Sequence, residues 1–239
     1  MKLWEGNRQR SLSDLFHIEG DSSATPEKLT IQVFDDVHKV RRIGAGMSAG
    51  EIVIQRDAGI HLGEEMRDGK ISVGGNAGSW TGAMMKDGVI EVKGNAGDYV
   101  GAAYRGSVKG MRGGTIIIHG NAGNELGCFM RKGLIKVHGN IGQFAGMHMK
   151  NGIIFVGGNS EGRAGAEMTG GKIVVCGNVP SVLPTFNIDS VKSKVKINDE
   201  EEATGPFYLF IGDITEEGEG KLYVSQASNP HLKFYEQYL

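Results

Sequence analysis

Apolar and polar residues alternate in short bursts along most of this chain, and the bursts recur at a fixed distance. A segment Gly-x-Ile-x-Ile/Val starts at Gly50, Gly69, Gly88, Gly114, Gly133, Gly152 and Gly171, in steps of 19 residues apart from one step of 26 between Gly88 and Gly114. The third position is always isoleucine: Ile52, Ile71, Ile90, Ile116, Ile135, Ile154 and Ile173. The fifth is Ile or Val, from Ile54 to Val175. Period-two alternation over this length predicts a short strand. Its third and fifth side chains point one way, and the second, fourth and sixth point the other. A Gly-Asn corner follows, from Gly75-Asn76 to Gly177-Asn178. Self-similarity at a fixed period is the signature of stacked repeats. Each unit is therefore expected to form one coil of two or three short strands, with successive coils about 4.8 Å apart. The predicted fold is all-β, a single-stranded parallel β-helix.

Two further columns run down the stack. Glycine recurs at Gly44, Gly63, Gly82, Gly101, Gly127, Gly146 and Gly165, where a corner requires positive φ or close backbone approach. Methionine follows three residues later, from Met47 through Met66, Met85, Met111, Met130 and Met149 to Met168. Seven aligned thioethers could suggest a soft-metal track, but flexible side chains filling an irregular core explain them better. The asparagines are expected to form an amide ladder along the corners.

The repeat divides the chain into three regions. Residues 1–49 hold an N-terminal cap with Leu12, Leu15, Phe16 and Ile18 and a degenerate first coil near Leu29. Residues 50–184 are regular β-helix. Residues 185–239 form a C-terminal cap, with the polar run Lys192–Glu202 and then a hairpin of Phe207–Ile211 and Lys221–Ser225 around acidic Asp213–Glu219. Non-repeat caps are expected because a solenoid exposes unpaired strand edges at its ends.

Composition narrows the function. Glycine supplies 39 of 239 residues, which argues against helices. A formal net charge of −2 gives no electrostatic case for nucleic acid or an anionic membrane. With no basic, apolar leader at Met1–Arg10 and no long apolar run, a cytoplasmic location is expected, with Cys128 and Cys176 reduced. Two cysteines cannot hold an iron–sulfur cluster alone and lack zinc spacing. Gly44-Ala45-Gly46-Met47-Ser48-Ala49 loosely matches a dinucleotide fingerprint, but a strand follows it where a helix is required. Glu64-Glu65 is a carboxylate pair without a counterpart in the adjacent coils. His119 and His138 share the sixth position of neighbouring coils, within reach of a shared metal. Without an evident third ligand they read as a solvated pair. No catalytic, cofactor or metal residue is assigned.

Partner binding has more support. Ile117, Leu134, Ile153, Phe155 and Val174 occupy second and fourth positions, pointing away from a core that is already filled. An apolar patch of that size is covered in a soluble protein, either by a partner subunit or by the chain's own C-terminal piece. The seven extra residues of the long repeat, Tyr104 to Gly110, protrude at a corner and include Arg105 and Lys109. Solenoid insertions map to binding faces, and Tyr and Arg are enriched in interface hot spots.

Specific stretches carry a family resemblance. They are Arg42-Ile43-Gly44 through Met47-Ser48-Ala49-Gly50-Glu51-Ile52, and Gly75-Asn76-Ala77-Gly78-Ser79-Trp80. Asp98-Tyr99-Val100-Gly101, Tyr104-Arg105-Gly106 with Gly110-Met111, and Gly205-Pro206-Phe207-Tyr208 add to them. Together they resemble the C subunit of formylmethanofuran dehydrogenase over nearly all the chain. The glycine repeat alone also resembles the C-terminal domain of glutamate synthase. The resemblance implies a right-handed β-helix serving as a scaffold in a multisubunit methanogen enzyme that fixes carbon dioxide as the formyl group of formylmethanofuran. It implies that a tungsten or molybdenum pterin, iron–sulfur clusters and a binuclear metal site reside in other subunits, amidohydrolase-like and molybdopterin/iron–sulfur, and none in this one. The chain departs from family members with a longer leader by starting nearer the repeat. Two alternatives remain: the C subunit of a non-redox formyltransferase/hydrolase complex, and a stand-alone β-helix enzyme such as a lyase or acyltransferase.

Overall fold

Isoleucine and valine at the third and fifth positions set how the chain stacks. The computed structural model describes residues 2–21 and 25–239, so residues 1 and 22–24 of the N-terminal cap lie outside the described residues. Strands β1 (Lys2–Glu5) and β2 (Arg8–Ser11) make a separate antiparallel hairpin, followed by one helical turn at Leu12–Leu15. The coils then contribute one strand each. These are β3 (Thr30–Val33), β4 (Glu51–Ile54), β5 (Lys70–Val73), β6 (Val89–Val92), β7 (Arg112–Ile118), β8 (Lys132–Val137), β9 (Ile153–Val156) and β10 (Lys172–Val175). They lie parallel in unbroken sequence order, a β-solenoid of about eight turns.

Register follows the repeat. Ile52 opposes Ile71, Ile71 opposes Ile90, and Ile90 opposes Ile116 across the 26-residue step. The seven extra residues therefore leave the coil as a loop without shifting the stack. Ile71, Ile90, Ile116, Ile135, Ile154 and Ile173 have no solvent exposure, and neither do the column methionines Met66, Met85, Met111, Met130, Met149 and Met168. Complete burial of such side chains contributes roughly 1.5–3 kcal/mol each before ordering costs. The methionine column is core.

Each coil has one strand where two or three were expected. The second line of contact is a column of single bridges, Val37–Ala58, Ala58–Ala77, Ala77–Ala96, Ala122–Ile141 and Ile141–Ser160. The cause is local. Beyond each Gly-Asn corner the backbone repeatedly enters the left-handed region, which interrupts extended pairing. The asparagine ladder also differs in kind from an amide stack. Each side-chain oxygen accepts a backbone N–H from the next coil: Asn76 from Asn95 at 2.9 Å, Asn121 from Asn140 at 2.8 Å, and Asn159 from Asn178 at 2.8 Å. Asp57 fills the same role under Asn76 at 2.7 Å.

At the C-terminal end, β11 (Asn187–Lys196), β12 (Glu202–Gly212) and β13 (Gly220–Ser225) close the stack. β13 lies parallel on β10 with Leu222 opposite Ile173, a ninth parallel rung, and β12 then β11 add antiparallel. The predicted hairpin is β12–β13. The run 192–202, expected only as polar chain, is partly strand, and Val195 and Ile197 within it are buried.

Those two residues belong to a second apolar cluster with Val174, Ala203, Phe207, Leu209 and Tyr223, against which Leu134, Ile153 and Phe155 pack. The chain's own C-terminal strands thus cover most of the outward apolar patch. Assigning Leu134, Ile153, Phe155 and Val174 to a partner surface is corrected on that ground. Val174 has no exposure at all. Ile117 is half-buried and lies outside that cluster.

Candidate functional site

Two residues ahead of each second-column glycine, the fold needs positive φ, and the sequence supplies bulky residues there. They are Arg42 (63°), His61 (62°), Trp80 (67°), Tyr99 (65°), Glu125 (55°), Phe144 (62°) and Arg163 (56°). A left-handed conformation costs a non-glycine residue roughly 1–2 kcal/mol. Glycine would meet the backbone requirement without that cost. The corner is held by coil-to-coil bonds, with the Trp80 and Tyr99 N–H groups donating to the carbonyls of Asp98 and Asn124 at 2.8 Å each. The side chains project outward in a ladder. The Trp80 and Tyr99 rings stack with centroids 4.2 Å apart, and the His61 ring lies parallel to Trp80 at 5.9 Å. Further along, the Arg163 guanidinium lies 5.1 Å from the Phe144 ring.

The insertion reaches this ladder. Tyr104 leans over it, 5.2 Å from Trp80 and 5.9 Å from His61, while remaining 47% exposed. Arg105, Val108 and Lys109 are exposed beyond it. The loop is pinned where Arg131 donates to the Val108 carbonyl at 3.1 Å and the Lys109 N–H donates to Ser107 Oγ at 3.2 Å.

Under the His61 end lies Glu64, whose side chain is only 8% exposed. Its Oε2 is 2.8 Å from Arg42 Nη1 and 3.3 Å from His61 Nδ1. Neither approach is aligned as a hydrogen bond, so a buried carboxylate oxygen and a buried imidazole nitrogen both lack one. Its sequence neighbour Glu65 points elsewhere, exposed and 3.0 Å from Lys86. The Glu64-Glu65 pair is therefore not a pair in space.

The remaining candidates fall into place individually. His119 and His138 stack with centroids 5.1 Å apart and planes 3° from parallel. His119 is tied to Glu91 at 2.8 Å, with Lys93 also on that carboxylate. Lys93, and after it His119, hold the Glu91 carboxyl below its usual range. Desolvation, then Lys136 and His119, push the His138 imidazole below its usual value. Cys176, predicted in the same column, packs against the second apolar cluster. Both cysteines are free thiols, and burial raises each, with Cys128 pushed to about 12. Among the described residues no group of three or more His, Cys, Asp or Glu is placed to hold a metal ion, and no helix is long and apolar enough to cross a membrane.

Tyr104 was visible in the sequence as part of an insertion. The ladder was not, because Arg, His, Trp, Tyr, Glu and Phe share no chemistry that a search for repeats would detect. The nearest signal was His61, Trp80 and Tyr99 falling 19 residues apart.

No model of a known protein family matches the chain. Over 62 residues it is 39% identical to the C subunit of molybdenum-containing formylmethanofuran dehydrogenase 1 from Methanosarcina barkeri. Over 63 residues it is 41% identical to the C subunit of tungsten-containing formylmethanofuran dehydrogenase 2 from Methanothermobacter wolfeii. Each match covers 26% of this chain, and 21% and 23% of those relatives, so the chain spans about a fifth of their length. The similarity to these C subunits inferred from motifs is present, but in sequence it is local rather than nearly end to end. In fold it is extensive. A chain in the crystal structure of the formyltransferase/hydrolase complex (FhcABCD) from Methylorubrum extorquens, in complex with methylofuran, superposes with a TM-score of 0.81. It shares 29% identity and is matched over 94% of this chain and 86% of that one.

Proposed function

We propose that this chain is a non-catalytic scaffold subunit of a multisubunit formylmethanofuran dehydrogenase, the complex that reduces carbon dioxide and forms formylmethanofuran. The observation that carries this reading is the 39% and 41% identity to C subunits from both molybdenum and tungsten enzymes. On this reading the chain holds no cofactor. An amidohydrolase-like subunit would supply the binuclear metal site, and a molybdopterin subunit with iron–sulfur clusters would supply the redox chemistry. The solenoid's role is to hold those partners at fixed separation. Tyr104, Arg105 and Lys109 are then the predicted contact residues, on the face the C-terminal strands leave free.

A second reading has its own support. The near end-to-end match in fold and similar length to a chain of a formyltransferase/hydrolase complex favours a C subunit without redox partners. Isolation of the tagged chain from its native cell separates the two. A dehydrogenase complex should carry molybdenum or tungsten and reduce an added electron acceptor when given the formylated carrier. A hydrolase complex should release formate from the same carrier with no acceptor and neither metal. Isolation without companion subunits would overturn both readings.

A further inference from the structure

We propose that the Glu64 end of the aromatic ladder is a socket that receives a cationic side chain, lysine or arginine, from a neighbouring subunit. The inference rests on the subunit reading above and goes further by naming the site and the chemistry of what enters it. Three independent observations lead there. First, His61, Trp80 and Tyr99 are held at φ of 62–67° where glycine would satisfy the corner, so their rings are retained against backbone strain. Second, the only insertion in the repeat brings Tyr104 over two of those rings. Third, Glu64 is nine-tenths buried at the foot of the cluster, and its Oε2 lacks a hydrogen bond. A carboxylate only accepts, so the missing partner must be a donor.

The sign of the charge follows from the same groups. A carboxylate at the His61 edge of an aromatic cluster suits an ammonium or guanidinium, which gains the ion pair and can reach the attraction of the ring quadrupoles. The chain already shows the fit. Its own Arg42 approaches Glu64 to 2.8 Å, yet is unaligned and 62% exposed, as a weakly held occupant would be. Arg42 gives up little on leaving, because its guanidinium stays mostly in water, whereas a partner's cation would add the faces of Tyr104 and Trp80 to the ion pair with Glu64. Arg42 thus acts as a placeholder.

The test uses the complex as isolated from the native cell, with the photoreactive residue p-benzoylphenylalanine in place of Tyr104. Irradiation should link position 104 to a companion subunit, at a peptide that contains lysine or arginine. Adding Glu64→Gln should lower the yield on the order of tenfold or more, the scale expected when one member of a buried charge pair is removed. Adding Arg42→Ala instead should raise the yield, because the placeholder is gone. A merely structural role for this corner predicts loss in both variants. The same probe at Phe144, a member of the ladder column several coils from Glu64, should be indifferent to Glu64→Gln. Companions that co-purify without linking at position 104, a linked peptide lacking basic residues, or yields unmoved by Glu64→Gln would overturn the socket alone. Absence of companions with the unaltered chain would overturn the subunit reading with it.

Discussion

Ile135 has no contact with solvent, and its Cδ1 fills the space where a Cβ on Gly101 would lie, 2.6 Å away. Gly101 has no side chain to fill a void there, and the flexible buried methionines nearby can relax into it only in part. Ile135→Ala is expected to cost about 2–5 kcal/mol in urea unfolding, and Ile135→Val about 0.5–1.5. Equal, near-zero costs would mean the third position is not core. The thiols give an independent reading of burial. Cys128 is 5% exposed, and burial, then Glu125, push it to about 12. At pH 8 only about one thiol in ten thousand would be ionised. Iodoacetamide should leave Cys128 unmodified in the folded chain and label it in denaturant. The histidine column sets a pH trend. His138 sits below its unfolded value, so its contribution is fully present above that value, about 6.5, and falls away as pH drops through the folded one. His138→Asn should therefore flatten the decline in unfolding midpoint between about pH 7 and 5.

At the scale of one coil, the strand and the positive-φ glycine corner were legible in the sequence, and the bulky positive-φ residues two positions ahead of that glycine were not. Alternation in Gly-x-Ile-x-Val fixes a two-residue period that only a strand satisfies. Those positions depend on backbone torsions shared by residues as unlike as Trp80 and Glu125, so no pattern of side-chain chemistry could reveal them. The asparagine ladder lies between these cases. Its column was visible, but its direction, side chain to backbone, is set by how the corners of adjacent coils sit over one another, which periodicity does not encode. That direction makes a specific prediction. Asn140 Oδ1 accepts the Asn159 N–H at 2.8 Å, so Asn140→Ala should cost about 1 kcal/mol or more by leaving that donor unpaired. Asn140→Asp should be much milder near neutral pH, because Asp57 accepts the Asn76 N–H in the same way at the foot of the ladder. Gly146 tests the other corner column. Its φ is +69°, and a Cβ there would lie 2.6 Å from Ile173 Cδ1. Gly146→Val should be more damaging than either asparagine change, since it combines strain with a clash.

Across the whole molecule, the open question in the sequence was what covers the outward apolar residues, and the answer lies in chain connectivity. Val195, Ile197 and Phe207 are far from Leu134 and Phe155 in sequence, and periodicity carries no information about non-repeat segments. The C-terminal strands do two jobs at once. β13 pairs with β10 and closes the last coil edge, while β11 and β12 shield the patch around Val174. Phe155→Asp should thus destabilise the isolated chain, by roughly 2–4 kcal/mol, because it places a charge under those strands. Free assembly with unchanged stability would return the patch to a partner. Removing residues 187–239 tests both jobs together. The truncated solenoid would present the free edge of β10 beside uncovered Leu134, Ile153, Phe155 and Val174. Unpaired edges and contiguous apolar surface both drive association. Light scattering should show concentration-dependent oligomers of the truncated chain under conditions where the full chain stays dispersed. Restoring 187–239 as a separate peptide should reverse the effect. A dispersed, folded truncation would mean that the coils close themselves, and that the C-terminal strands are an attachment rather than a cap.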